Sequence, residues 1–125
     1  MIDFQNPSFV KLSQTPPDSV DGQFRALLLD DEQIYVAFRG MRDMVVFTSK
    51  RIIALNVQGM TGKKKDFTSL PYSKIQAYSV ETAGTFDRDA ELEVYFSAVG
   101  KVRFEFAGST DVAYLSKLIS HFALR

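Results

Sequence analysis

A chain of 125 residues has the length of one domain, and 46% hydrophobic residues, including eleven Phe and five Tyr, can bury a sizeable core. The 15 basic and 15 acidic side chains cancel, which argues against a nucleic-acid partner because such binding usually needs a basic surface. Cysteine is absent, which excludes disulfides and thiolate metal sites.

The N-terminal sequence lacks the basic stretch and the apolar stretch of a secretory signal, and no apolar run approaches the length of a membrane span. We therefore expect a cytoplasmic protein that could meet a membrane only peripherally.

Residues 1–17 predict an extended N-terminal arm, because the three prolines in this stretch disfavour helix. The arm is too apolar for a free tail, so we expect Phe4 and Phe9 to pack on this subunit or on a neighbouring one. The chain is accordingly divided into an arm, residues 1–17, and a single domain, residues 18–125.

A short helix follows the arm. Asp18 or Ser19 can cap it, and its apolar positions share one face: Val20, Phe24, Leu27 and Leu28.

The apolar period then changes from helical to strand-like. Seven short strands are predicted, at residues 34–38, 43–48, 51–57, 65–70, 74–82, 91–96 and 101–106. The second strand is apolar on consecutive residues, which indicates burial on both faces. In the last hairpin, a register that places Glu93 opposite Arg103 would pair opposite charges.

A C-terminal helix ends the chain. Ser109 or Thr110 can cap it, and an apolar stripe follows one face: Val112, Leu115, Leu118, Ile119 and Phe122. Short antiparallel strands need a barrel or sandwich to hide their edges, and this helix can plug one open end.

Three segments in combination resemble the small stand-alone bacterial pleckstrin-homology-like (PH-like) domain, formerly a family of unknown function. They are RDMVVFTSKRII (residues 42–53), NVQGMTGKKKDFTSLPYSKI (residues 56–75) and SVETAGTFDRDAELEV (residues 79–94). The resemblance spans residues 20–125 and leaves the arm outside it. It implies a mainly β fold: a seven-stranded antiparallel, partly open barrel or orthogonal sandwich, capped by the C-terminal helix. It also implies a homo-oligomer, as a ring, with no enzymatic activity and no cofactor.

Lysines 63 to 65 form the only basic run in the sequence. Together with the two basic residues at the start of the third strand, they are candidate contacts for an anionic lipid headgroup or another phosphate group: Lys50, Arg51, Lys63, Lys64 and Lys65. The competing interpretation is a solvated loop whose lysines keep a hairpin in solution.

Other features point away from catalysis and metal binding. His121 is the only histidine, and it has no nucleophile and orienting acid placed around it in the sequence. The alternating acids of residues 87–93 lack the ligand order of a calcium loop. Met60, at a glycine-framed turn, is a candidate knob at an oligomer contact, with Phe4 and Phe9.

The sequence therefore predicts a non-catalytic interaction or scaffolding module that self-associates and could bind an unidentified protein partner. The alternative is a weak binder of anionic lipid headgroups or other phosphate groups through the basic loop.

Overall fold

The computed structural model describes residues 1–5, 9–86 and 89–124. The described strands form two antiparallel sheets. The first contains β1 (Ser13–Thr15), β2 (Ile34–Arg39), β3 (Asp43–Thr48), β4 (Arg51–Gln58) and β5 (Lys64–Pro71) in that order. The second contains β6 (Ala77–Glu81), β7 (Ala90–Phe96) and β8 (Gly100–Phe106). The helices are α1 (Gly22–Arg25) and α2 (Val112–Ala123).

The main core lies between the two sheets and under α2. Both sheets contribute phenylalanines, and the ring centroids of Phe38 and Phe106 lie 4.6 Å apart. The stripe of α2 supplies Leu115 and Ile119, which are buried, and α2 packs on β6 and β7. Strands β5 and β6 are outer strands of their sheets and are not paired with each other. The predicted mainly β, partly open barrel with a capping helix is thus confirmed.

A smaller core covers the other face of the five-stranded sheet. Phe24 of α1 is fully buried there, together with Val46 of β3 and Ile53 of β4. Strand β3 therefore has apolar neighbours on both faces, as its run of consecutive apolar residues predicted.

The described arm residues join the two sheets. The Glu105 N–H donates to the Phe9 carbonyl at 2.9 Å, and the Leu12 N–H donates to the Glu105 carbonyl at 3.0 Å. Residues Ser13–Thr15 then pair with β2. The described part of the chain therefore has eight strands, and the prediction of seven missed the one in the arm.

Both helices begin at other residues than predicted. Asp21, and neither Asp18 nor Ser19, caps α1, and its side chain accepts a hydrogen bond from the Phe24 N–H. Asp111 caps α2, where Ser109 or Thr110 was expected. An aspartate can cap as well as a serine or threonine, so sequence pattern alone does not choose among neighbouring polar residues.

The β7–β8 hairpin has the predicted register, with Glu93 opposite Arg103. The ion pairs, however, do not join these two directly opposite residues. Arg103 contacts Glu91 diagonally across the strands and Glu105 on its own strand, and Lys101 lies 3.6 Å from Glu93, also on the diagonal.

Candidate functional site

The five candidate cations lie at two opposite ends of β4. Arg51 begins β4 next to Lys50, whereas Gln58 at its other end pairs with Lys64 of β5. Seven steps of an extended strand span about 23 Å. The structure therefore does not bring Lys50 and Arg51 together with the lysines of the β4–β5 turn.

The guanidinium of Arg51 is engaged within the fold. It donates to both carboxylate oxygens of Glu32, at 2.9 Å from Nε and 2.8 Å from Nη2. It also donates to the Leu27 carbonyl at 2.8 Å and to the Ser69 hydroxyl at 3.0 Å. These bonds use the donors with which an arginine would otherwise hold a phosphate group.

Glu32 is the partner that holds Arg51, and its side chain is fully enclosed. The Thr48 hydroxyl donates to it at 2.6 Å and the Leu29 N–H at 3.1 Å. Burial by itself would raise the pKa of Glu32. The hydrogen bonds from Arg51, Thr48 and Leu29 and the charge of Arg51 outweigh burial and lower this pKa from 4.5 to about 2.

The remaining cations differ in their partners. Lys50 lies 3.3 Å from Asp31, and Lys65 donates to the Gln23 side-chain oxygen at 2.6 Å. Within the described part of the chain, Lys63 and Lys64 enter no ion pair. They are the candidate cations best placed to meet an external group.

Two neighbouring turns carry these lysines and two exposed methionines. Met41 on the β2–β3 turn is 99% exposed, and Met60 on the β4–β5 turn is 103% exposed. Arg42 Nη2 donates to the Gly59 carbonyl at 2.6 Å, which holds the two turns side by side. We call this patch the turn-end surface and define it by five residues: Met41, Arg42, Met60, Lys63 and Lys64.

The three-stranded sheet carries negative charge on its outer face. Glu81 of β6 lies opposite Glu91 of β7, which in turn lies opposite Glu105 of β8. We call these three carboxylates the acidic row. Arg103 bridges Glu91 and Glu105. Burial and a hydrogen bond with Asp89 raise the pKa of Glu105.

A shallow hollow of about 170 Å³ lies on the same sheet. Its lining includes Ala77 and Tyr95, which are opposite each other on β6 and β7, and the paired Glu93 and Lys101. Tyr95 is 46% exposed, so its ring is available to another side chain.

The arm phenylalanines lie inside this subunit. Phe9 is 1% exposed, and its ring lies 5.5 Å from that of Phe104 in an edge-to-face arrangement. Phe4 stacks on Phe9 with 5.8 Å between ring centroids and is partly buried. Of the three proposed oligomer contacts, Met60 is thus the one that the structure leaves open to solvent.

Across residues 1–5, 9–86 and 89–124, no group of three or more His, Asp or Glu side chains is arranged to hold a metal ion. Asp87, one of the acids considered for calcium, lies outside the described residues. The His121 ring packs edge-on against Phe122, with 4.8 Å between centroids. Over the same described ranges, every helix is too short or too polar to cross a bilayer.

Sequence reasoning missed Met41, Glu32 and the acidic row. Met41 follows Gly40 at a predicted turn, so its exposure had a local signal. Glu32 and the acidic row had no such local signal in the sequence. Glu32 meets Arg51 across 19 positions, and the acidic row forms only when three strands pair.

Comparisons with known proteins agree with this architecture. Residues 3–123 match the family model of the bacterial PH domain. Uncharacterized protein YjqA of Bacillus subtilis (strain 168) is 47% identical over 79 residues, which are 63% of this chain and 63% of that protein. The matched stretch is thus less than two thirds of that relative.

Two crystal structures are similar over most of the chain. A DUF1696 family protein with a pleckstrin-homology domain from Shewanella loihica PV-4 is 40% identical with a TM-score of 0.80, over 92% of this chain and 99% of that one. A pleckstrin homology domain from Shewanella amazonensis SB2B is 39% identical with a TM-score of 0.67, over 90% of this chain and 92% of that one.

Proposed function

Because this chain belongs to the bacterial PH domain family, whose members are generally non-catalytic binding modules, we propose that it is an interaction module that self-associates. The observation that carries the proposal is the presence of two fully exposed methionines, Met41 and Met60, on two turns that the hydrogen bond from Arg42 to Gly59 holds together. Single exposed apolar side chains are ordinary, but adjacent ones on projecting turns favour a surface that another protein covers.

Self-association also fits the open sheets. Strands β5 and β6 are the outer strands of their sheets, and outer strands are surfaces through which subunits can join. A contact between two different patches repeats from copy to copy and closes into a ring when its rotation permits. We therefore propose a ring of identical subunits.

Multi-angle light scattering of the purified chain at 10–100 µM tests the proposal. The expected result is a mass that is a whole multiple of 14.1 kDa and that falls on dilution. A mass of one chain across this whole concentration range would refute self-association.

A second candidate function is weak binding of anionic lipid headgroups or other phosphate groups. The observation that favours it is that Lys63 and Lys64, which lack ion pairs within the described residues, follow the exposed Met60 by three and four residues. Two lysines near an apolar tip supply a modest attraction to an anionic surface, which is consistent with weak binding. Lys50 and Arg51 are at the opposite end of β4 and do not add to this patch.

Flotation with phosphatidylserine-containing vesicles tests this candidate. Lys63→Ala with Lys64→Ala should abolish flotation at 0.1 M salt, whereas Lys117→Ala on α2 should not change it. Equal flotation of the double variant and the unmodified chain would rule out the basic turn as a lipid contact.

A further inference from the structure

We propose that the turn-end surface of one copy docks onto the outer face of the three-stranded sheet of the next copy, with Met60 entering the hollow beside Tyr95 and Met41 packing on the sheet next to it. The proposal rests on the self-association proposed above and identifies the two surfaces that meet. The partner is a second copy of this chain.

Shape supports this pairing. The hollow of about 170 Å³ corresponds to the share of about six liquid water molecules. That space is of the size that a methionine side chain, with four heavy atoms, can occupy. Methionine is flexible and packs favourably with its sulfur near an aromatic ring edge, and Tyr95 presents such a ring at the wall. The side chain of Met60 and the hollow are thus complementary in size and chemistry.

Charge supports the same pairing. Among the described residues, the outer face carries five acidic side chains, Glu81, Asp89, Glu91, Glu93 and Glu105, against Lys101 and Arg103, a formal net charge of −3. The turn-end surface carries Arg42, Lys63 and Lys64, a net charge of +3. Opposite charge on two facing surfaces steers encounter and fixes their orientation, and it disfavours contact of either surface with its own copy.

The charged and apolar parts lie close enough to act together. Glu93 lines the hollow, and Glu91 of the acidic row lies two residues away along β7, at about 7 Å. On the facing copy, Lys63 and Lys64 are three and four residues from Met60. Lysine side chains are long and flexible, so their ammonium groups can approach the carboxylates while the methionine occupies the hollow.

The two surfaces belong to different sheets of the molecule, so the contact is heterologous. Each docked copy still presents one free turn-end surface or one free hollow. Such contacts continue until a ring closes or a filament forms. The overall net charge of zero conceals this arrangement because the two opposite patches cancel.

Two variants test the pairing. Met41→Ser with Met60→Ser removes the projecting side chains, and Ala77→Arg with Glu81→Lys fills the hollow and reverses a charge of the acidic row. Each variant alone should self-associate at least about 30-fold more weakly than the unmodified chain and scatter as a single chain. Mixed in equal amounts, they should form a dimer and nothing larger, because only one productive contact remains.

Controls distinguish the loss of this particular interface from misfolding of a variant and from an absence of any self-association. Leu29→Ser removes an exposed apolar side chain elsewhere and should leave the assembly unchanged. Lys63→Glu with Lys64→Glu provides a second turn-end variant at exposed positions. If the unmodified chain assembles and all these variants assemble equally, the interface is refuted while self-association stands. Failure of the mixed variants to form a dimer would also refute it, and a monomeric unmodified chain would overturn both proposals.

Discussion

The enclosed carboxylate of Glu32 allows a test of how much its ion pair with Arg51 contributes to the free energy of unfolding. Glu32→Gln keeps the size of the side chain and removes its charge. Arg51, which is bound to Glu32 through two hydrogen bonds, then loses its charged partner. Removing one member of a buried, hydrogen-bonded ion pair is destabilising because the other member keeps its desolvation cost.

The expected size of the effect follows from the pKa of Glu32. This pKa lies at about 2 in the folded chain and at 4.5 when Glu32 is free in water, a gap that corresponds to about 3 kcal/mol of folding free energy. Since the folded pKa is the lower one, the stabilisation is complete above 4.5 and is lost as pH falls from about 4.5 to 2. A domain of this kind has about 5–15 kcal/mol of total stability, so the change is readily measured.

Urea unfolding monitored by circular dichroism provides the assay. Glu32→Gln should be about 3 kcal/mol less stable than the unmodified chain at pH 7, and the two should converge as pH approaches 2. Asp18→Asn, at an exposed position, is the matched control and should show a small difference at both pH values. A difference between Glu32→Gln and the unmodified chain that stays constant from pH 7 to pH 2.5 would refute the reasoning.

The other predictions concern the arm, a helix cap and the acidic row. Phe9→Ala should cost about 3–5 kcal/mol in urea unfolding because it empties a core site, and Phe4→Ala should cost less because Phe4 is only partly buried; equal costs would contradict the arm packing. Asp111→Ala should cost about 1 kcal/mol and lower the melting temperature, whereas Ser109→Ala should not; the reverse order would move the cap to Ser109. Arg103→Gln should cost about 0.2–1 kcal/mol at pH 7, because Glu91 and Glu105 then face each other without a cation; an unchanged urea midpoint would show that these carboxylates do not repel.

Local pattern determined most of the strands. The range predicted for β3 was residues 43–48, and the structure has Asp43–Thr48. Burial on both of its faces was readable from consecutive apolar residues. The β7–β8 register, with Glu93 opposite Arg103, was also readable because two alternating strands are joined by a short turn.

The residues at which β6 and the two helices begin were harder to predict. Tyr72–Lys74 forms a short 3-10 turn, so β6 begins at Ala77 and not at residue 74 as predicted. The two helix caps also lie one to three residues from the predicted ones. Several polar side chains near a helix start can accept the same hydrogen bond, and tertiary packing selects one of them.

The sequence by itself established a small β domain closed by an amphipathic helix, because strand and helix periods are expressed within a few consecutive residues. Only the tertiary structure decided which distant groups meet. It placed Phe9 in the core and joined Glu32 to Arg51. It also tied the turn of Met41 to the turn of Met60 and separated Lys50 from Lys63 by the length of β4. These outcomes depend on how strands far apart in the chain pair, and local periodicity carries no information about that pairing.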